Sequence, residues 1–341
     1  AVVSSAVTIP FLRPLSLLMG ADESMIEHCI TYATILLIGM LPFMLQNLFQ
    51  ALMITAQKPH LGFVITVLAG CTNMFLDYLM VGVMQLGLAG AAWATVISQI
   101  VGGIVPLIYF IAPNSSLLHI GKTKFYGKVF LNACANGSSE LVSNISASVV
   151  AILYNKKLME YAGQDGVSAY GVFAYVSFVF VAIFIGYAIG SAPIVSYHYG
   201  AKNYDELKNL FRKGITVNAI FGVIMLILGE VTAIPLGKLF VGYDPDLLEM
   251  PCRCFYIGSV CYLFAGTNIF ASSFFTALNN GLVSAIISFM RTLVFQTSTV
   301  LLLPLIWKLD GVWMSITAAD ILAFCVTLFF LIKLRKKYHY A

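Results

Sequence analysis

Residues 61–81 read LGFVITVLAGCTNMFLDYLMV, an apolar run whose one charged residue is Asp77. About 20 predominantly apolar residues cross a bilayer as an α-helix, so this run predicts a transmembrane helix. Asn73 lies one turn before Asp77, and the spacing of four places both side chains on one helix face. A carboxylate at membrane depth costs about 2.5–3.5 kcal/mol, so it usually faces a cavity and acts there. The pair therefore predicts a site for a cation or a proton.

The whole chain has the composition of a membrane protein. Its 341 residues are 60% hydrophobic and 10% charged, with a mean hydropathy of +0.91, whereas soluble domains carry about 25% charged residues. Apolar stretches recur at spanning length without the alternation of a β-barrel. We therefore predict an all-α polytopic membrane protein. After a partial helix at 1–19, nine helices are expected near 27–56, 61–84, 88–112, 127–154, 166–198, 208–236, 250–277, 281–306 and 311–334.

The loop charges predict the orientation. Basic residues on one set of loops outnumber those on the opposite set by twelve to five, which favours the first set as cytoplasmic. That set includes the C-terminal tail, so we expect a multi-pass protein of the plasma (inner) membrane with a cytoplasmic C-terminus. The net charge of +4 is then a topology signal, and nucleic acid is not expected as a partner. The twelve residues are Lys58, Lys122, Lys124, Lys128, Lys202, Lys208, Arg212, Lys213, Lys333, Arg335, Lys336 and Lys337.

The chain also contains an internal repeat at an offset of 221 residues. Thr55-Ala56 matches Thr276-Ala277 (276 − 55 = 221), and Leu88-Ala-Gly90 falls on Leu309-Asp-Gly311. An ungapped match over three helices predicts a duplicated helical unit, and transporters commonly bind substrate between such repeats. The second unit begins near Lys124, so its counterpart would begin before the first residue (124 − 221 = −97). We expect the chain to lack two helices and part of a third.

Three motifs carry a family resemblance. Residues 191–204 read SAPIVSYHYGAKNY, and they follow Asn73-Met-Phe-Leu-Asp77 and Gly87-Leu-Ala-Gly-Ala-Ala-Trp-Ala-Thr95 along the chain. Together these motifs resemble the multidrug and toxic compound extrusion (MATE) transporters, and the resemblance extends from residue 1 to the tail. Asn136-Gly-Ser-Ser-Glu140 is similar to the MepA-like bacterial branch of that family.

The resemblance implies two pseudosymmetric lobes of six helices each, of which about ten helices would be present here. Residues 1–112 would be the remnant of the N-lobe, with part of helix 3 and helices 4–6. Residues 113–127 would be a cytoplasmic connector, 128–335 the C-lobe with helices 7–12, and 336–341 a basic cytoplasmic tail. We expect this protein to be a monomer in the lipid bilayer.

The resemblance also implies a transport function. It is the export of small cationic, amphipathic compounds by alternating access, driven by inward Na⁺ or H⁺ without any other cofactor. In the branch whose ion site is best understood, the ion lies among an Asp of the first helix, an Asn and an Asp of the fifth, and a Thr of the sixth. The last three match Asn73, Asp77 and Thr95, which would bind a metal ion only if the coupling ion is Na⁺. In the competing interpretation, Asn73 and Asp77 serve a structural hydrogen bond between helices, and Thr95 bonds its own helix backbone.

Further polar residues within the apolar runs are candidates for contact with substrate. Glu140 is one of them, because a buried glutamate has a raised pKa and attracts cationic compounds, although a capping role competes. Interhelical hydrogen bonding is the competing use of the other candidates. They are Gln46, Asn47 and Gln50, with Asn268 and Ser272 on the helix related to theirs by the repeat.

A last group is predicted to shape or couple the helices. Pro193 would loosen its helix, Tyr197 lies near the end of that helix, and Gly200 is expected to end it in the αL conformation. Arg291 is expected near the cytoplasmic end of its helix, either as an interface residue or in a structural pair with Asp320.

Several functions compete with drug efflux. A lipid-linked saccharide flippase has a related two-lobe fold, but it would usually show a strongly charged central cavity, and this chain has few intramembrane charges. A membrane enzyme would need paired acids or a His–acid motif at the membrane surface. None is evident, so we expect no enzyme. An inactive, truncated remnant is the remaining alternative.

Overall fold

A computed structural model describes residues 1–18, 26–113, 126–241 and 245–340, together with 116, 118, 121 and 124. All regular elements in these residues are helical, which confirms the predicted all-α membrane fold. The chain divides into two compact units, Ala1–Lys124 and Phe125–Ala341, which we call unit 1 and unit 2. The division lies within residues 113–127, the predicted connector, part of which is outside the described residues.

Unit 1 is built from short and long helices in sequence. A 3₁₀ turn, Ile9–Phe11, joins the first two, and a π-helical turn, Tyr78–Val83, extends the fifth. The α-helices are α1 (Val2–Thr8), α2 (Leu12–Leu18), α3 (Ile26–Ile38), α4 (Met40–Thr55), α5 (Pro59–Asp77) and α6 (Gly87–Ile111).

The helix predicted at 27–56 is bent in the structure. α3 and α4 meet at Gly39 with an angle of 50°. A side chain at Gly39 would collide with Val96 of α6, so the bend occurs where a side chain of α6 lies against the backbone. Further along α6, a Cβ atom at Gly102 would lie 2.7 Å from the Gln46 side chain, and α6 again approaches α4 closely. Small residues are a common means of such close helix packing in a membrane.

Unit 2 contains two very long helices and four shorter ones. A 3₁₀ turn, Ser259–Cys261, joins α9 to α10, and a π-helical turn, Met290–Phe295, joins α11 to α12. The α-helices are α7 (Gly127–Gly200), α8 (Tyr204–Val241), α9 (Pro245–Gly258), α10 (Tyr262–Ala277), α11 (Gly281–Phe289) and α12 (Gln296–Tyr338).

The long helices α7 and α12 are each folded back at one non-helical residue. The 57 residues of Asn144–Gly200 would extend about 85 Å as a straight helix, against a hydrocarbon core of about 30 Å. α7 is interrupted at Gly163 (φ 64°, ψ −152°), and the rings of Tyr154 and Tyr170 stack across the interruption at 5.3 Å. Lys308 (φ 52°, ψ −126°) interrupts α12 in the same way. The described residues contain six helices that are long and apolar enough to cross a membrane, or seven with the bent pair of α3 and α4, and two of these are interrupted at Gly163 and Lys308.

Two backbone interruptions of unit 1 have a counterpart in unit 2 at the offset of the sequence repeat. The bend at Gly39 corresponds to Val260 in the turn Ser259–Cys261 (39 + 221 = 260). Gly87 has φ 56°, and the residue 221 positions later is Lys308, with φ 52°. The left-handed region is costly for a residue with a side chain, so its appearance at both positions reflects the shared path of the chain.

The turn after α7 differs from the prediction in its αL residue. Gly200 is the last helical residue, and the positive φ of 56° belongs to Lys202. The N–H of Asn203 donates to the carbonyl of His198 at 2.9 Å, as in a Schellman turn. Asn203 also caps α8, because its Oδ1 accepts a bond from the N–H of Glu206 at 3.2 Å. The αL residue therefore lies next to the cap of the following helix, and its expected position at Gly200 was wrong.

Two glycines with opposite surroundings give a test of the packing. A Cβ at Gly311 would collide with the backbone carbonyl of Leu303, whereas a Cβ at Gly190 would meet nothing within 4 Å. We expect Gly311→Ala to destabilise the protein by about 1–3 kcal/mol, because a backbone atom must move. Gly190→Ala is expected to stabilise it by roughly 0.5–1 kcal/mol through helix propensity. Thermal unfolding of the purified variants measures both effects, and equal shifts of one sign would contradict this account of the Gly311 contact.

Candidate functional site

Asp77 lies at a change in helix type. It is the last residue of α5, and the π-helical turn begins at Tyr78; such turns are frequent at functional sites. The side chains of Asn73 and Asp77 are both half-buried. Among the residues that the structure describes, neither side chain has a hydrogen-bond or ion-pair partner. The interhelical hydrogen bond of the competing interpretation is therefore not formed by either side chain within the described ranges.

The face of α5 that carries Asn73 and Asp77 is the face that packs on α4. Thr66 shows which face of α5 is directed towards α4, because its hydroxyl accepts a hydrogen bond from Gln50 Nε2 of α4 at 3.1 Å. Asn73 and Asp77 follow Thr66 by seven and eleven residues, so each points within about 20° of its direction. α4 runs antiparallel to α5, and the contact of residue 50 with residue 66 places Gly39 at the level of Asp77 (50 + 66 − 77 = 39). The carboxylate therefore lies at the level where α3 bends into α4.

Thr95 of α6 lies at the same level. Gly39 approaches Val96, the residue that follows Thr95. The Thr95 hydroxyl donates to the carbonyl of Ala91 in its own helix at 3.0 Å, as in the competing interpretation. That bond uses the hydroxyl proton and leaves the oxygen lone pairs free to accept a bond or bind a cation. The carboxylate of Asp77, the amide of Asn73 and the hydroxyl of Thr95 are the kinds of oxygen donor that hard cations prefer, and a shared site for the three stays a prediction.

The three polar candidates of α4 take part in local packing. Gln46 packs against Gly102, and Gln50 donates to Thr66. Asn47 Nδ2 donates to the Phe43 carbonyl in the same helix at 2.9 Å. These contacts correspond to the interhelical and backbone bonding that competes with a substrate role, so contact with substrate stays a prediction for all three residues.

Unit 2 contains a buried ion pair between the π-helical turn Met290–Phe295 and α12. Arg291 Nε lies 2.6 Å from Asp320 Oδ1, and the two side chains are 17% and 3% exposed. Asn268, which is fully buried, donates from Nδ2 to the backbone carbonyl of Asp320 at 3.0 Å. Arg291 follows Gly281 by ten residues, about 15 Å along the helix. Arg291 therefore lies well inside the helix that begins at Gly281, and its expected position near the end of that helix was wrong.

Ser272 belongs to a hydroxyl network between α10 and α11. Its Oγ lies 2.8 Å from Ser284 Oγ and 2.9 Å from Ser288 Oγ, and Thr276 Oγ1 donates to Ser284 Oγ at 2.8 Å. Sequence reasoning did not identify Ser284 and Ser288. The available signal was their spacing of four, which matches the spacing of Ser272 and Thr276 on the neighbouring helix.

The remaining candidates are placed as follows. Glu140 lies within α7, but its side chain is outside the described residues. Pro193 and Tyr197 lie in the last turns of α7, where Tyr197 is 71% exposed. No group of three or more His, Cys, Asp or Glu residues that suits a metal ion occurs in the described ranges.

Comparison with known proteins identifies relatives over almost the entire chain. Residues 1–79 and 140–301 match the MatE family model. The "Probable multidrug resistance protein YoeA" of Bacillus subtilis is 27% identical over 336 residues, which cover 94% of this chain and 70% of that protein. The "Multidrug export protein MepA" of Staphylococcus aureus is 22% identical over 325 residues, or 92% of this chain and 69% of that protein.

Solved structures share the fold. The crystal structure of "MATE in complex with MaL6" has a TM-score of 0.92 at 19% identity and covers 100% of this chain and 77% of its own. The "outward-facing conformation of a multidrug resistance MATE family transporter of the MOP superfamily" has a TM-score of 0.91 at 19% identity, over 99% and 76%.

Proposed function

Because the chain belongs to the MatE family of multidrug efflux transporters, we propose that it is a secondary active antiporter. It exports cationic, amphipathic compounds in exchange for Na⁺ or H⁺ by alternating access. The observation that carries the proposal is Asp77, a half-buried carboxylate inside an apolar span without a cationic partner among the described residues. Such a group requires a cation or a proton to offset its desolvation.

The position of Asp77 suggests how ion binding acts on the fold. An ion shifts a conformational equilibrium only by its difference in affinity for the two states. At the level of Asp77, α5 changes to a π-helical turn and α3 bends into α4 at Gly39. Interrupted helices adopt alternative packings more readily than continuous ones, so neutralising Asp77 favours one arrangement of α4, α5 and α6. The Asn73 amide and the Thr95 hydroxyl contribute oxygen atoms beside the carboxylate.

We also place the C-terminus in the cytoplasm. Helices joined by short turns alternate in direction, so the first turns of α8 and the last turn of α12 lie at one end of unit 2. Lys208, Arg212 and Lys213 lie in the first of these segments, and Arg335, Lys336 and Lys337 lie in the second. Clusters of basic residues favour the cytoplasmic side. A fluorescent-protein fusion at the C-terminus, which is bright only in the cytoplasm, tests this orientation.

Transport is tested by expression in a drug-sensitive host. Cells that carry the gene should accumulate less ethidium than vector controls and should expel it after energisation. Two conditions identify the coupling ion. In the first, external Na⁺ is removed and the proton gradient is kept; in the second, Na⁺ is present and a protonophore abolishes the proton gradient. Accumulation equal to the vector control for ethidium and for other cationic compounds, with the protein present in the membrane, would refute the proposed function.

A further inference from the structure

Unit 2 has a cavity of about 620 Å³ between α8, α10 and the second part of α12. Tyr340, beyond the end of α12, forms part of its wall. The Tyr340 hydroxyl donates to the Leu331 carbonyl at 2.7 Å, and its ring lies 4.8 Å from the ring of Phe211. Burial raises the pKa of this phenol, so Tyr340 stays neutral and adds no charge to the cavity. The hydrogen bond to Leu331 and the packing against Phe211 therefore hold Tyr340 in place in the cavity wall.

The cavity is cationic at one end and apolar at the other. Lys208 and Arg212 of α8 and Arg335 of α12 line the end where the basic segments meet. Phe324 precedes Arg335 by eleven residues, so it lies about 16 Å deeper along the helix. Its ring packs on Phe264 of α10 with centroids 5.4 Å apart. The cavity thus changes from charged to apolar along the direction of the membrane-spanning helices.

The three cations have no anionic partner in the described part of the chain. No carboxylate lines the cavity, and Lys208, Arg212 and Arg335 form no ion pair there. All three are exposed. Guanidinium groups match the paired oxygens of a phosphate, and an ammonium group adds a point charge. The charged end is therefore complementary to a phosphate, and the apolar end to a hydrocarbon chain.

The geometry points to a binding site for one anionic phospholipid of the inner leaflet. Its phosphate contacts Lys208, Arg212 and Arg335, and an acyl chain lies along the wall toward Phe264 and Phe324. Basic pockets between transmembrane helices on the cytoplasmic side bind anionic headgroups in this way. The length of the apolar wall distinguishes a lipid from a free phosphate, because a free phosphate would use only the charged end.

Native mass spectrometry of the full chain in neutral detergent tests the site, with phosphatidylglycerol as the probe and phosphatidylcholine as the reference. The variant Arg212→Gln/Arg335→Gln should weaken phosphatidylglycerol binding by about 30-fold, since each charge near an anionic headgroup contributes roughly a factor of five. The matched control Lys213→Gln/Lys333→Gln removes the same charge from residues outside the cavity and should leave binding within about twofold. Ala219→Trp, which fills the cavity without changing charge, should also weaken binding.

Three outcomes would overturn the site. They are equal losses in the two charge variants, unchanged binding in Ala219→Trp, and displacement of the lipid by glycerol phosphate at an equal concentration. The first would indicate general attraction to the basic surface, and the other two would indicate a site for phosphate alone. This experiment measures lipid binding, so a negative result would not contradict the proposal that the protein exports drugs. The two proposals can therefore be judged separately.

Discussion

Asp320→Asn should destabilise the folded protein by about 3–5 kcal/mol, the cost of breaking a buried pair while its other charge stays buried. Arg291 would lose its 2.6 Å bond to the carboxylate while its side chain remains only 17% exposed. Asn268 bonds the backbone carbonyl of residue 320, so that contact survives the substitution. The yield of folded protein and its unfolding temperature should both fall.

Asp310→Asn is the matched control. Asp310 also pairs with an arginine at 2.6 Å, but that pair is 57% and 32% exposed. An exposed pair contributes about 0.2–1 kcal/mol, so this variant should lose far less stability. The double variant Arg291→Met/Asp320→Leu should recover most of the loss, because well-packed apolar residues often replace a buried pair without cost. Equal losses of stability in Asp320→Asn and Asp310→Asn would show that burial does not determine how much the Arg291–Asp320 pair contributes to the stability of the fold.

Asp77→Asn should abolish ion-driven efflux while the protein still folds. The amide keeps the shape of the side chain but removes the charge that a cation or proton neutralises. No described residue pairs with Asp77, so the substitution leaves no cation unpaired in the described part of the chain. Ethidium efflux in energised vesicles measures the loss, and the unfolding temperature checks that the fold is intact.

Glu160→Gln provides the comparison for Asp77→Asn. Glu160 forms an exposed pair with Lys157 near the fold in α7, and its side chain is 52% exposed. The same loss of one carboxylate there should leave efflux close to the unsubstituted rate. Efflux at the unsubstituted rate in Asp77→Asn would remove this residue from the mechanism, and a loss in both variants would show that net charge matters more than position.

The spans could be predicted from sequence because each one depends on a local property, the length of an apolar run. The fold at Gly163 lies in the polar interval between two such runs, so the sequence placed it correctly between 154 and 166. The bend at Gly39 lies inside an uninterrupted apolar run and depends on the approach of Val96 from another helix. No local pattern contains that information.

The polar contacts were harder to predict for a related reason. Which side chains meet across two helices depends on rotation and depth, and an error of a few residues in a helix boundary changes both. Arg291 and Asp320 were recognised as a possible pair, but their depth was misjudged. The Thr95 hydroxyl had two plausible partners, and only coordinates distinguish them.

The recurrence of helix interruptions in the two units bears on how duplicated membrane proteins are recognised. Glycine occupies the position at 87 and lysine the corresponding position at 308, yet φ is positive at both, 56° and 52°. The residue at such a position has changed while the route of the main chain has been kept. Comparing where helices break is therefore a more durable record of duplication than comparing side chains, and it extends to halves whose residue identities have almost disappeared.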